Sequence, residues 1–270
     1  MPASDVAARL VRIVKKRRGT GHVENIKNKD DAVWSLRAAR GQNAFETLEP
    51  YLEEIIDQGA ANSCVGCMTR SLVSITESIA GRTFDPISHR AVYKLARAKD
   101  GIKGDIGSRI STAMRVAQKH GVPKEKDVPY SDVFIDAAIP LIKLVNGWNS
   151  SGFRYEHIFK SGEDKLKEID AALRAGYPVG LGALVDRRFM ESTGTKVYLD
   201  PGEAADWIGG HAMVLVAPRN KDGVYRLLSS WSKGWGDNGL INVDQEYISK
   251  RAQDITIAYG WKRANLEVSV

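Results

Sequence analysis

Cys64 is the residue of this chain best placed to act as a nucleophile. A thiol attacks weakly near its free pKa of about 8.5 and strongly as the thiolate. The turn-forming run Asp57-Gln58-Gly59-Ala60-Ala61-Asn62-Ser63 leads into Cys64, and Val65, Met68, Leu72, Ile75 and Ile79 then recur at helical spacing. Ser63 is a good N-cap, so Cys64 is expected at the first helical position. There the unpaired N–H groups and the positive dipole end favour a thiolate. A buried structural cysteine fits the same pattern. The thiolate also needs a base, and His22, His89, His120, His157 and His211 are the candidates. His211 stands apart because Gly209-Gly210 clear space before it and the apolar run Ala212 to Ala217 holds it on a strand, although a core histidine without a role reads the same way. A third element is Leu228-Ser229-Ser230-Trp231-Ser232-Lys233-Gly234-Trp235-Gly236-Asp237-Asn238-Gly239, where a strand ends in a glycine-rich loop with two tryptophans. Such a loop is either a wall over a site or a packed surface turn.

These residues need a scaffold, and the pattern supplies one. Helices are expected over Ser4–Arg18, from Cys64 to a stop at Gly81, and over Ser88–Ala98, Ser108–Lys119 and Glu163–Ala175. Residues 19–47 are polar with little periodicity and read as an extended lead-in anchored by Trp34. Strands are expected over Val179–Val185, His211–Ala217, Val224–Ser230, Leu240–Val243 and Ile255–Tyr259. A helical first half before a strand-rich second half indicates an α+β fold with two lobes.

Composition sets the outer bounds. With 270 residues the chain can bury a core without disulfide staples. Hydrophobic residues make up 43% and charged residues 27%, which argues against disorder, collagen or a coiled coil. No apolar run is long enough to span a membrane, and no signal peptide is visible. The net charge of +6 is concentrated at the N-terminus, where residues 1–50 hold 10 Lys/Arg against 6 Asp/Glu. That is weak grounds for a nucleic-acid partner. Two cysteines make no disulfide framework.

Taken together, Gln58-Gly59, Cys64 six residues after the glutamine, Gly210-His211 before a strand, and Ser230-Trp231-x-x-Gly234-Trp235-Gly236-x-Asn238-Gly239 resemble the papain-like cysteine peptidases, in a bacterial or phage-type form. His211 follows Cys64 by 147 residues, within the roughly 130–150 usual for that family. Tyr51–Gly59, Gly121-Val122-Pro123 through Val128-Pro129-Tyr130, and Ala175–Val179 are similar to family segments, so the resemblance covers about residues 48–265. It implies a two-lobe α+β fold, with a helical lobe at about 58–150 bearing the Cys helix and an antiparallel, barrel-like β lobe at about 151–265. Residues 1–47 would be a basic extension and 266–270 a tail. It further implies a peptidase in which Cys64 is the nucleophile, His211 its base, and Gln58 an oxyanion donor beside the Cys64 N–H. A peptide or protein substrate would lie between the lobes against Gly210, Trp231 and Trp235, often with an apolar side chain in the pocket beside the scissile bond. No cofactor and no metal are implied.

The sequence departs from the family at three places. Ser229 stands where the family has the Asn that orients the imidazole, and its shorter reach would need a water or a strand shift. Val65 replaces an aromatic residue after the nucleophile. Ala61 replaces a disulfide cysteine, which suits a non-oxidising compartment. Two other readings of the residues stay open: a peptidase fold kept as a catalytically weak binding or structural module, and dithiol or metal chemistry at Cys64-Val65-Gly66-Cys67. The basic N-terminal residues are expected to be retained as an arm that docks on a larger assembly or an anionic surface. A cytoplasmic location is the default expectation, a phage particle or secretion assembly the alternative, with no specific nucleic-acid partner.

Overall fold

The computed structural model describes residues 18–26, 28, 31–34, 45–82, 85–120, 122–131, 135, 137–139, 153–203 and 205–260. Six helices lie among them: α1 (Cys64–Ile79), α2 (His89–Asp100), α3 (Ile110–His120), α4 (Gly162–Arg174), α5 (Arg187–Met190) and α6 (Gln245–Arg251). The strands are β1 (Arg154–His157), β2 (Val179–Asp186), β3 (Val197–Tyr198), β4 (Trp207–Ala217), β5 (Val224–Leu228), β6 (Leu240–Asp244) and β7 (Ala252–Tyr259). The expected helix over Ser4–Arg18 and the tail 266–270 lie outside the described residues, Arg18 excepted.

The helical lobe forms where local signals agree. Ser88 caps α2 by accepting from the Ala91 N–H at 3.1 Å, and Gly101 ends it in the left-handed region at φ 69°. Helix α1 begins at Cys64 as its periodicity predicts, but not through Ser63. The Ser63 hydroxyl makes no capping bond and is buried without a partner. Its backbone, at φ −94° and ψ 14°, turns the side chain away from the helix amides, unlike the extended geometry of Ser88.

The β lobe is one seven-stranded sheet in the order β1-β7-β2-β4-β5-β6-β3. Neighbours are antiparallel apart from β3, which pairs parallel with β6 through two residues. Strand β2 is central and almost wholly buried, so its sequence VGLGALVD shows no alternation. Asp186 and Asp244 each end a strand and cap the helix that follows, accepting from Phe189 N at 2.7 Å and Tyr247 N at 2.9 Å. These caps start α5 and α6, two short helices that periodicity alone did not reveal.

The two lobes meet along α1. A Cβ on Gly180 of β2 would come within 2.8 Å of the Met68 sulfur, so the sheet lies directly on the Cys-bearing helix. Met68, Leu72 and Ile75 share one apolar core with Leu181, Val214 and Ile257. That core holds Cys64 against Ala212, in the middle of β4. Trp34, the expected anchor of the lead-in, is buried edge-on to Tyr177 with ring centroids 5.7 Å apart.

Candidate active site

Cys64 opens α1, so its backbone N–H is among those a helix cannot satisfy internally. Its thiol is wholly buried beside the backbone of Ala212, Val65 and Gly21. Burial pushes the thiol up to about 12, and the nearby backbone hydrogen bonds offset only part of this. Ala212 is the residue after His211, so the sheet delivers the imidazole to the helix start.

His211 lies in β4 opposite Ala183 of β2 and is completely buried. Its Nε2 is 2.9 Å from Ser229 Oγ. No water or strand shift is needed to close the gap, because Ser229 follows directly on β5, the neighbour of β4. Trp231 stacks on the imidazole at 4.1 Å and 15°, covering one ring face. The other ring nitrogen, Nδ1, is buried with no hydrogen-bond partner among the described residues. Burial, with His22 beside it, pushes His211 down to about 3. Thiol and imidazole are therefore both neutral in this state.

Gln58 is fully buried. Its Oε1 accepts from the Ser230 hydroxyl at 2.5 Å, which fixes the amide so that Nε2 donates to Ala61 O at 2.7 Å and Gly19 O at 3.1 Å. The Trp231 indole donates to the same Gly19 carbonyl at 3.0 Å. Trp235 is also fully buried and packs edge-on behind Trp231 at 5.0 Å, its indole given to Met190 O at 3.0 Å. It braces the wall that Trp231 presents.

What fills the cleft is the chain's own lead-in. Gly21 N and His22 N both donate to Gly210 O at 3.0 Å, Val23 N donates to Ser108 O at 3.0 Å, and Ser108 N donates to Gly21 O at 2.9 Å. The segment thus bridges the β lobe and the helical lobe as an added strand. A Cβ on Gly19 or Gly21 would come within 2.0 Å of the carbonyl of Ala61 or Asn62, so only glycine fits this close to the Cys64 turn. Arg18 lies over Trp231 at 5.9 Å and donates to Met190 O. This lead-in was legible only as an extended segment; the pair of glycines in Gly19-Thr20-Gly21 is the one local feature that fits its close backbone packing.

Among the described residues no group of three or more His, Cys, Asp and Glu side chains could hold a metal ion. Cys64 and Cys67 are both free thiols. No described helix is long and apolar enough to cross a membrane.

The family profile for papain family cysteine proteases matches residues 44–258. An uncharacterized peptidase C1-like protein of Acanthamoeba polyphaga mimivirus is 27% identical over 238 residues, covering 83% of this chain and 73% of that protein. A cysteine proteinase of Theileria parva is 23% identical over 231 residues, and the match spans 48% of its length. Xylellain, a cysteine protease from Xylella fastidiosa, superposes with a TM-score of 0.74 at 20% identity over 91% of this chain and 97% of that one. The bromelain protease from Ananas comosus superposes at 0.59 and 18% identity, over 78% of this chain and 94% of that one.

Proposed function

Because the chain belongs to the papain family of cysteine proteases, we propose that it hydrolyses peptide bonds with Cys64 as nucleophile and His211 as its base. The observation that carries this reading is a peptide backbone already seated across the pair, with the Gly19 carbonyl on Gln58 Nε2. A groove that holds its own chain by backbone hydrogen bonds is built to hold another.

Substrate must displace residues 18–25, and their departure readmits water. Relief of burial then brings the thiol down and the imidazole up, so the proton can pass from Sγ to Nδ1, the ring nitrogen with no other partner. The thiolate attacks the scissile carbonyl carbon. The oxyanion is held by Gln58 Nε2 and the Cys64 backbone N–H, in a role where one donor typically contributes about 2.7–4 kcal/mol. His211 returns its proton to the leaving amine, and water attacks the thioester with His211 as base. Ser229 accepts from Nε2–H and keeps the free lone pair on Nδ1. A hydroxyl can also donate, so Ser229 orients the ring less strictly than an amide oxygen. Gly210 binds backbone, Trp231 lines the groove, and Trp235 supports it.

Incubation of the full chain with an unstructured protein substrate, with mass spectrometry of intact protein during turnover, tests this. Products together with an acyl adduct on Cys64 are expected, both absent in Cys64→Ala. Undetectable turnover in a variant whose lead-in has been loosened would overturn the reading and leave the fold serving as a binding module.

A further inference from the structure

Residues 18–25 meet the cleft largely through their backbone, and His22 is the side chain that enters it beside β2 and β4. Its ring occupies the space of two absent side chains. A Cβ on Gly182 of β2 would come within 2.2 Å of the ring, and one on Gly210 of β4 within 3.0 Å of Nδ1. At the floor of this pocket His22 Nε2 lies 2.9 Å from Asp254 Oδ2, with the two side chains 5% and 13% exposed. The Asn25 N–H donates to the same oxygen at 2.7 Å. Asp254 itself sits in the left-handed region at φ 51°, where β7 bulges against β2 between Gly180 and Gly182.

Among the described residues, His22 is the one basic side chain paired with Asp254. A cavity of about 200 Å³ beside Asp254 is lined by His157, Lys160 and Lys165; His157 is bonded to Thr256 Oγ1 at 2.8 Å and Lys165 gives its ammonium to Ala252 O at 3.0 Å. When residues 18–25 leave, Asp254 loses both His22 and the Asn25 N–H. A nearly buried carboxylate without a donor is costly, and an apolar newcomer would leave it so. A newcomer with a cationic side chain restores the pairing, and the bare Gly182 and Gly210 leave room for it.

We propose that Asp254 makes this pocket selective for a basic side chain, Lys, Arg or His, in any polypeptide that takes the place of residues 18–25. The substrate class of the enzyme is then basic peptides, in contrast to the apolar preference implied by the family resemblance. The word substrate rests on the peptidase reading; the selectivity of the pocket does not.

The lead-in itself supplies the test, without requiring hydrolysis. His22→Lys, His22→Leu and His22→Glu are made in the full chain, alone and with Asp254→Asn, a residue that tolerates the same left-handed backbone. The rate of Cys64 alkylation by iodoacetamide reports how firmly the segment holds the cleft, with peptide mapping to separate Cys64 from Cys67. Lysine is expected to protect within about threefold of the parent chain, leucine to label at least about tenfold faster, and glutamate faster still. Asp254→Asn is expected to abolish the gap between lysine and leucine. Equal protection by leucine and lysine, or a gap that survives Asp254→Asn, overturns the proposal. Hydrolysis of peptides with Lys or Leu at this position is read separately. No turnover with the labelling order intact would count against the peptidase reading and leave the pocket standing.

Discussion

Helix α1 carries two cysteines three residues apart, each near a histidine-bearing segment. Cys64 lies against the backbone of Ala212, the residue after His211, whereas the Cys67 thiol meets the His89 ring inside the helical lobe. Of the two histidines, the enclosed one is the one held toward its charged form. Burial works to lower His89, but Cys67 and Glu125, the latter 3.5 Å away, reverse this and push the ring up to about 9. Glu125 is itself tied to Arg70 at 3.0 Å, and Tyr130 covers the ring at 4.3 Å. Among the described residues His211 has no carboxylate partner, and it is pushed down to about 3 by burial and His22. Yet only Cys64 lies under a removable cover. The difference teaches that a cysteine–histidine neighbourhood becomes a reactive site through access. A histidine charged at rest and sealed in a core beside a cysteine is scaffold, and a pair silenced by a detachable strand is a latent centre.

The largest break in that comparison comes from deleting each thiol. Cys64→Ser or His211→Ala is expected to lower kcat/KM by about 10⁴-fold or more. Cys67→Ser is expected to leave kcat within a small factor while costing stability of about 1–2 kcal/mol, read as a lower unfolding midpoint. Equal losses from the two cysteines would erase the distinction. Gln58→Ala is next, expected to cost about 10²–10³-fold in kcat with KM less affected.

The cover itself is the next target. Gly21→Val cannot be seated against the Asn62 carbonyl and is expected to raise Cys64 alkylation by about tenfold or more while Cys67 stays protected. Acid gives the smallest effect. His211 is held below its ordinary value in the closed state, so once acid protonates the open-state thiolate the open state binds one proton more than the closed state. Closure is thus supported above that acid limb and weakens as pH falls below it, by at most about 1.4 kcal/mol per unit. The ratio of alkylation rates, Gly21→Val over the parent chain, is expected to shrink between pH 7 and pH 5. A constant ratio would show that His211 does not sense the cover.

Much of the scaffold was readable because its signals are local. The 3–4 spacing after Cys64 placed α1, and the apolar runs at Val179 and Ala212 placed β2 and β4, which deliver His211 to the helix start. Ser229 and Trp231 both lie against His211, and Gln58 shares the Gly19 carbonyl with the Trp231 indole. The path of residues 18–25 was not readable, since it depends on carbonyls at Ala61, Asn62 and Gly210 that only the folded lobes bring together. Asp254 was hidden for the same reason: nothing adjacent in sequence links it to His22, 232 residues away. The Ser63 cap failed because its residue type permits a bond that its backbone angles do not.

The central claim is that His211 ionises Cys64 once the strand of residues 18–25 is out of the way. The pH profile of Cys64 alkylation in Gly21→Val, with and without His211→Ala, tests it most directly. The account predicts rapid labelling with an acid limb well below 7 when His211 is present, and a shift of that limb toward the ordinary thiol value of about 8.5 when it is removed. Coincident profiles in the two variants would contradict it.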